Sequence, residues 1–571
     1  MNIPNNIYKL ALPFCVMLLV ACSSDDETAI ESSSIPVTPS NNQMSFSAGI
    51  ETDNTTRTST SDNGDDTWST VWSANESIDI YNVLNNNATG IFSTTADSEG
   101  KDVATFTGSQ IANQGEGGNK FYALYPSGTT FTPSKNKMDA NIPVIQPAYD
   151  GVNPAYQFMT ACSTTSSLSF KNVCSLVKIQ IASSSDLSIG VIKIVSNNGE
   201  KIAGEFTATI NDNGTTTIAS ATSTFVEIRK TANGDGKAQL ADGTYYIAVL
   251  PIHLSKGFTL YLEDVEHNKV YQRIANVTKG YDFIRSQVTD LGSYNSSNYG
   301  SKIISNVVDL GLPSGTLWAT KNISEGSREG SNATTSFVTN TTDTGGYFAW
   351  GEIATKDGEY VWGNSSENYK YGRGAALAGD NSFNGTVGQG YLSRYNSSEN
   401  YQTRWFNNNI STPPDYVEQL AAEDDVAYLT DNNFCIPMYG QAAELFSNTT
   451  RTKSGSAFVL TGKTNGYTGR TMDLPAAGYK GDRIDLPFIS VGSVIHNSSY
   501  ACYWTKERSN EASTSYAANS FDVRSESRVD IEGVFRSEGR LIRPVVLNKA
   551  FAPVKTYQQL CEEAAAAQNN Q

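Results

Sequence analysis

The chain has 571 residues and a formal net charge of −17, with only 17% charged residues beside 29 tyrosines and 46 glycines. An acidic balance of this size argues against sequence-independent nucleic-acid binding, which rests on Lys and Arg neutralising phosphates, so no nucleic-acid partner is expected. The length suits three domains, and the composition is that of a β-rich secreted protein.

At the start, Lys9 precedes an apolar run from Leu10 to Val20. The run has the length of a secretory signal and falls short of the ~20 residues that cross a bilayer. It ends in Leu19-Val20-Ala21-Cys22, which resembles the bacterial lipobox. That resemblance implies a signal peptide over residues 1–21 and lipidation of Cys22, the thiol taking acyl chains such as palmitate. Ser23-Ser24-Asp25-Asp26-Glu27 resembles the surface-export signal of Bacteroidetes lipoproteins, implying a lipid anchor in the cell outer membrane with the protein facing outward.

Residues 22–43, rich in Ser, Thr and Asn with Pro36 and Pro39, cannot build a core and form a tether. Between Cys22 and Thr56 there is no Lys or Arg. The first basic residue is Arg57, in the polar stretch Thr55-Thr56-Arg57-Thr58-Ser59, where an exposed loop is expected. Asp62, Asp65 and Asp66 do not have EF-hand spacing and are read as a solvated loop rather than a calcium site.

From Met44 the pattern is short strands. Phe46, Ala48 and Ile50 alternate with polar residues, as do Val177, Ile179 and Ile181, and again Phe258, Leu260 and Leu262. Period two of this kind predicts strands with one buried face. Ser77 to Val83, Phe121 to Pro126 and Tyr245 to Leu250 are further strand candidates. Asn198-Gly199, Asn213-Gly214, Asn233-Gly234 and Asp242-Gly243 supply the positive φ of tight turns. No amphipathic helix is expected from Met44 to Gly292.

Several pieces in order resemble the fimbrillin family of Bacteroidetes. They are Phe46-Ser47-Ala48, Thr56-Arg57-Thr58, Trp72-Ser73-Ala74-Asn75-Glu76-Ser77-Ile78-Asp79-Ile80-Tyr81, Phe121 to Pro126, Ile142-Pro143 with Gln146, Leu168 to Lys178, and Tyr245 to Pro251. Asn75 stands where many relatives carry Gly. The resemblance implies two tandem transthyretin-like β-sandwiches, residues 44–157 and 158–293. It also implies fimbrial subunits as partners, joined by strand addition after a trypsin-like cut, for which Arg57 is the candidate.

Residues 294–303 are expected as a linker. Beyond it, Val307 to Thr320 (Val-Val-Asp-Leu-Gly-Leu-Pro-Ser-Gly-Thr-Leu-Trp-Ala-Thr) and Tyr347 to Glu352 are similar to the Fibrobacter succinogenes major paralogous domain. Asp424-Asp425-Val426-Ala427, Ile436-Pro437, Leu474 to Tyr479, Tyr503-Trp504-Thr505 and Ile542-Arg543-Pro544-Val545 continue the likeness. It implies an α+β C-type-lectin-like module over 304–547, expected to fold by itself, with a tail at 548–571. Helical composition covers Asp415 to Tyr428 and Gln441 to Asn448. Lys321 and Phe434-Cys435-Ile436-Pro437-Met438 depart from the usual pattern.

No residue set supports chemistry. The three histidines are scattered, and among the seven cysteines none forms a CxxC. Cys162 with Cys174 and Cys435 with Cys502 are candidate bridges, although buried thiols are the commoner outcome. The sugar-coordinating triplets of calcium-dependent lectins are missing. No catalytic residue, metal or cofactor is therefore named, and an enzyme is not expected. Tyr360, Trp362, Tyr369, Tyr371, Tyr391 and Trp405 lie in a Tyr-, Asn-, Ser- and Gly-rich stretch whose chemistry suits contact with a glycan or protein of a host or bacterial surface. The reading is a surface-exposed fimbrial subunit, tip or accessory, presenting the C-terminal module for adhesion. The alternative is a surface glycan-binding lipoprotein that does not polymerise.

Overall fold

The computed structural model describes residues 43–50, 61–62, 68–69, 71–112, 118–275, 278–329, 332–355, 417, 419–481, 494–509, 517–536, 538–547 and 555–569. The chain is mainly β. Its first strand, Gln43–Ile50, closes a seven-stranded barrel and runs parallel to Ser167–Asn172, with Ser47 opposite Ser167 and Ile50 opposite Phe170. Met159–Ser163, Phe121–Tyr125, Ser77–Asn82, Ala88–Ser93 and Val103–Ser109 continue the wall in antiparallel order.

The alternation at residues 46, 48 and 50 does what period two requires. Phe46 and Ala48 are fully buried, and Phe46 meets Phe92 and Phe121 edge-on at 5.0 Å. Trp72 fills the same core and its indole N–H donates to the Ala48 carbonyl at 2.9 Å. Just after it, Asn75 adopts φ +60°, a left-handed backbone that Gly or Asn takes at least cost.

The chain does not pass from this barrel to the next unit at one point near residue 157. Lys137–Ile142 and Thr130–Thr132 leave the barrel to pair with Ala203–Ile210 and Thr216–Ser223, while Met159–Asn172 returns to complete its wall. The second unit adds a three-stranded sheet, Gly243–Val249, Ser175–Ile181 and Val288–Tyr294. It also has a six-stranded sheet in the order Ile145–Pro147, Phe225–Arg229, Val191–Ser196, Phe258–Asp264, Lys269–Ala275 and Ile303–Ser305. Val177, Ile179, Ile192, Ile194, Ile247, Leu260 and Leu262 fill its core.

The alternation of Phe258, Leu260 and Leu262 predicted a wet opposite face. The structure differs: every residue of Phe258–Asp264 is buried. The reason is the C-terminal module, which packs on the far face through Val195, Phe225, Tyr261, Val270, Ile304, Val307, Leu317, Phe434 and Tyr467. Residues 294–303, expected as a linker, carry a helical turn at Ser296–Tyr299, a 3-10 turn at Gly300–Lys302 and the start of the edge strand Ile303–Ser305. Residue 304 thus lies inside a strand of the second unit, and from Met44 onward the chain forms one compact unit.

Within the module, side-chain hydrogen bonds join the stretches that the sequence singled out. Trp350 Nε1 donates to the Thr505 carbonyl at 2.9 Å, and Trp504 Nε1 to the Phe348 carbonyl at 2.7 Å. Tyr347 donates to the Ala477 carbonyl at 2.7 Å. Buried Arg543 donates to the carbonyls of Ala319 at 3.1 Å and Asp473 at 2.7 Å. Asp425 accepts from the Ala427, Tyr428 and Ile436 N–H groups, with Lys506 3.3 Å away.

These bonds also explain why no single helix spans 415–428. Asp425 caps a short helix, Val426–Thr430, instead of sitting inside one. Tyr439–Asn448 is a second helix of the module, and the tail forms Tyr557–Asn569.

Phe46→Ala is expected to cost about 3–5 kcal/mol, because it empties a fully buried aromatic site. Urea titration of the unlipidated chain measures this. A loss under about 1 kcal/mol would mean the first strand is not held in the barrel core.

Candidate functional site

The face of the six-stranded sheet that meets the module carries charge. Strand register sets Lys193 directly between Glu227 and Tyr261. Because side chains alternate, Lys193, Glu227, Arg229 and Glu263 all point away from the second unit's core. Each is at most 4% exposed. The module answers with Asp309, just after the strand Val307–Val308, and with Tyr467 and Arg470 on successive turns over Thr464–Arg470.

The contacts close a dry network. Lys193 Nζ reaches Asp309 Oδ2 at 2.5 Å and donates to the Tyr467 hydroxyl at 3.1 Å. That hydroxyl donates to Glu227 Oε2 at 2.6 Å, and Glu227 pairs with Arg229 at 2.5 Å. Arg229 also donates to the Gly234 and Gly466 carbonyls. Arg470 Nη1 bonds Glu263 at 2.9 Å and lies 3.9 Å from Asp309. The guanidinium carbons of Arg229 and Arg470 stand 4.5 and 4.7 Å from the Tyr467 ring centre, so the ring also makes cation–π contacts.

Two glycines permit this approach. Gly311 has φ +73°, and a Cβ there would lie 2.6 Å from the Tyr467 ring. Gly315, also at φ +73°, would place a Cβ 2.7 Å from Val195. Thr224 donates to the Pro313 carbonyl between them.

Burial sets the electrostatics. It pushes the Tyr467 phenol far up, reinforced by Asp309 and Glu227, so the hydroxyl stays neutral. Burial alone would raise Asp309, but Lys193 and Arg470 outweigh it and hold the carboxyl below its ordinary range. Glu263 moves the other way, pushed up to about 7 by burial and by Asp309, with Arg470 opposing. Burial opposes the charge on Arg470, yet Glu263 and Asp309 keep it protonated. The arrangement suits a rigid joint: complementary charges, closed off from solvent.

The residues that the sequence proposed as sites are not those of this network. Cys22, Arg57, Tyr360, Trp362, Tyr369, Tyr371, Tyr391 and Trp405 are outside the described residues. So are Asp65, Asp66 and the side chain of Asp62. Neither candidate bridge forms: Cys162, Cys174, Cys435 and Cys502 are free thiols, as is Cys561. Burial pushes the Cys435 and Cys174 thiols up to about 12 and raises Cys502 as well, which makes them unreactive. Among the described residues no group of three or more His, Cys, Asp or Glu could hold a metal ion.

Sequence reasoning singled out the stretch containing Asp309 but missed the network. The available signal was local. Lys193 shares its strand face with Val191 and Val195, an apolar surround that a solvent-facing lysine does not need.

No family model and no curated protein matches the chain. Solved structures do. A candidate cell adhesion protein from Bacteroides uniformis is 15% identical with a TM-score of 0.30, covering 45% of this chain and 95% of that one. The tip fimbrial protein Mfa3 of Porphyromonas gingivalis, in a C-terminally truncated form, is 10% identical with a TM-score of 0.26, covering 46% and 97%. A fimbrial protein from Bacteroides ovatus is 11% identical with a TM-score of 0.22, covering 88% and 98%. At these scores, what those proteins are named for stays with them.

Removing one member of a buried pair strands the other. Arg470→Met is expected to cost about 3–5 kcal/mol in denaturant titration. A loss below about 1 kcal/mol would show that the network is wet.

The pH dependence follows from Glu263 and Asp309. Glu263 is raised in the folded state, so its contribution is full below its ordinary 4.5 and is lost as pH rises through about 7. Asp309 is lowered, so its contribution is present above its ordinary 3.8 and lost as pH falls. Stability should therefore decline from pH 5 to pH 8, and Glu263→Gln should flatten that decline. Equal slopes in both proteins would refute the assignment.

Proposed function

We propose that the chain is a surface-anchored fimbrial subunit, in tip or accessory position, that presents its C-terminal α+β, C-type-lectin-like module for adhesion. The observation that carries this reading is the first strand. It follows the tether, lies parallel in the barrel wall, and buries Phe46, Ala48 and Ile50. Arg57 comes next in the sequence and is the first basic residue after Cys22. A cut after Arg57 would release lipid, tether and first strand together. The groove left behind would be lined by Trp72, Phe92, Phe121 and Phe170. Its open wall would offer Ser167–Asn172 for pairing, and the Trp72 indole would lack the Ala48 carbonyl. An incoming strand restores both backbone bonds and buried side chains.

The far end supports a terminal position. Val288–Tyr294 sits in the three-stranded sheet, and the chain after it runs into the edge strand Ile303–Ser305 and the module. Among the described residues no strand there is left over to donate to a neighbour. The adhesive surface is assigned to the aromatic stretch holding Tyr360, Trp362, Tyr369, Tyr371, Tyr391 and Trp405. The reading assigns no catalytic role to any residue.

The expected outcome is measured on sheared fibres. Fibre-incorporated protein should begin at Thr58, and Arg57→Ala should keep the protein out of fibres. Cys22→Ser should abolish acylation and release the protein from the membrane fraction. Fibre protein that still carries a lipidated Cys22 would instead indicate an anchor.

A further inference from the structure

Beside the turn that leaves the second β unit lies a cleft of about 570 Å³. This falls within the ~300–1,000 Å³ of small-molecule sites. Its floor is three buried tyrosines. Tyr271 packs against Tyr294 at 5.5 Å and Tyr299 at 5.4 Å, and the Tyr299 hydroxyl is tied to the Ala182 carbonyl at 2.9 Å. Its rim holds the exposed cations Arg273 and Lys302. Among the described residues no Asp or Glu lines the cleft, in a chain with 58 acidic and 41 basic residues.

The polar groups are sorted by role. Arg273 Nη1 is occupied by the Leu291 carbonyl at 3.1 Å and by the Tyr294 hydroxyl, which fixes the guanidinium while its Nε and Nη2 stay unbonded among the described residues. Neither Arg273 nor Lys302 pairs with a carboxylate among those residues. Ser293 donates its hydroxyl proton to Gln180 at 2.6 Å, and Ser297 donates to Asn295 at 2.5 Å. What these serines offer the cleft is therefore acceptor lone pairs. The matching ligand carries hydroxyl donors together with a negative charge. Sulfate has no hydroxyl to give, and neutral sugars leave both cations unused.

The geometry points to a binding site for a saccharide that bears a carboxylate. The Arg273 fork takes the carboxylate, Lys302 adds a point charge from the rim, and Ser293 and Ser297 accept ring hydroxyls. The site lies in the second β unit and shares no residue with the aromatic stretch assigned to adhesion, so either assignment can fail alone.

Calorimetric titration of the full mature chain tests it with three probes: digalacturonate, its neutral counterpart digalactose, and inorganic sulfate. Digalacturonate should bind, with digalactose and sulfate at least about tenfold weaker, a difference of about 1.4 kcal/mol. Binding should weaken as salt rises, because the cations are exposed. Lys302→Gln should weaken digalacturonate about tenfold without changing the melting temperature, and Arg273→Gln should do so at least as strongly. Absence of digalacturonate binding, equal binding of digalactose, or unchanged affinity in the Lys302→Gln protein would overturn the site. Sulfate binding as tight as digalacturonate would overturn the saccharide assignment.

Discussion

The structure depends on keeping one charged sheet face dry. Three cations, Lys193, Arg229 and Arg470, and three carboxylates, Glu227, Glu263 and Asp309, are buried around Tyr467. Each ion loses several kcal/mol of hydration on burial, and only pairing offsets that loss. Four of these ions, Lys193, Glu227, Arg229 and Glu263, belong to the second β unit, while Asp309, Arg470 and the Tyr467 ring belong to the module. Neither set is satisfied by itself, so the two must dock in one register. A buried pair of this kind adds little net stability over apolar packing, but separating its members leaves each charge buried without its partner. The glycines at 311 and 315, the edge strand Ile303–Ser305 and the apolar ring around the charges all serve that docking.

What the sequence disclosed depends on how many faces of each element are buried. Gln43–Ile50 and Ser175–Ile181 bury one face each, and their alternation located them correctly. Phe258–Asp264 buries both, so its polar positions looked wet when they were not. The interlock of the barrel with the second unit left no local pattern, because pairing Lys137–Ile142 with Ala203–Ile210 is a long-range choice. The module's recurring stretches were visible as a series, but their cause was not. They are joined by bonds such as those of Trp350, Trp504 and Arg543, whose partners are backbone carbonyls far along the chain. Of the joint itself, the sequence showed Asp309 within a recognised stretch and concealed the lysine that meets it.

The joint bears on the proposed role. A module meant to fold by itself would end its contacts at a linker, whereas here the chain between Tyr294 and Ser305 is woven into the sheet that the module covers. From Met44 onward the chain forms one compact unit, in which the module is held by ion pairs rather than by a hinge. A contact made by the module is thus passed to the second unit without slack. Splitting the chain at 303/304 would cut a strand and expose Ile304, Val307, Tyr261 and Phe225 together with Lys193 and Glu263, whose partners Asp309 and Arg470 lie in the module.

The parallel first strand has a mechanical consequence. A pull applied at the start of Gln43–Ile50 and taken up beyond the end of Ser167–Asn172 would run through this pair. Because those strands are parallel, the two loading points fall at opposite ends of the pair. The pull is then a shear along the strands, which loads their hydrogen bonds together, whereas an antiparallel pair would place the load at one end and open bond by bond like a zipper. The aromatic packing of Phe46 and the Trp72 bond to Ala48 lie across the same sliding plane. A pairing that resists shear thus stands at the first strand of the barrel.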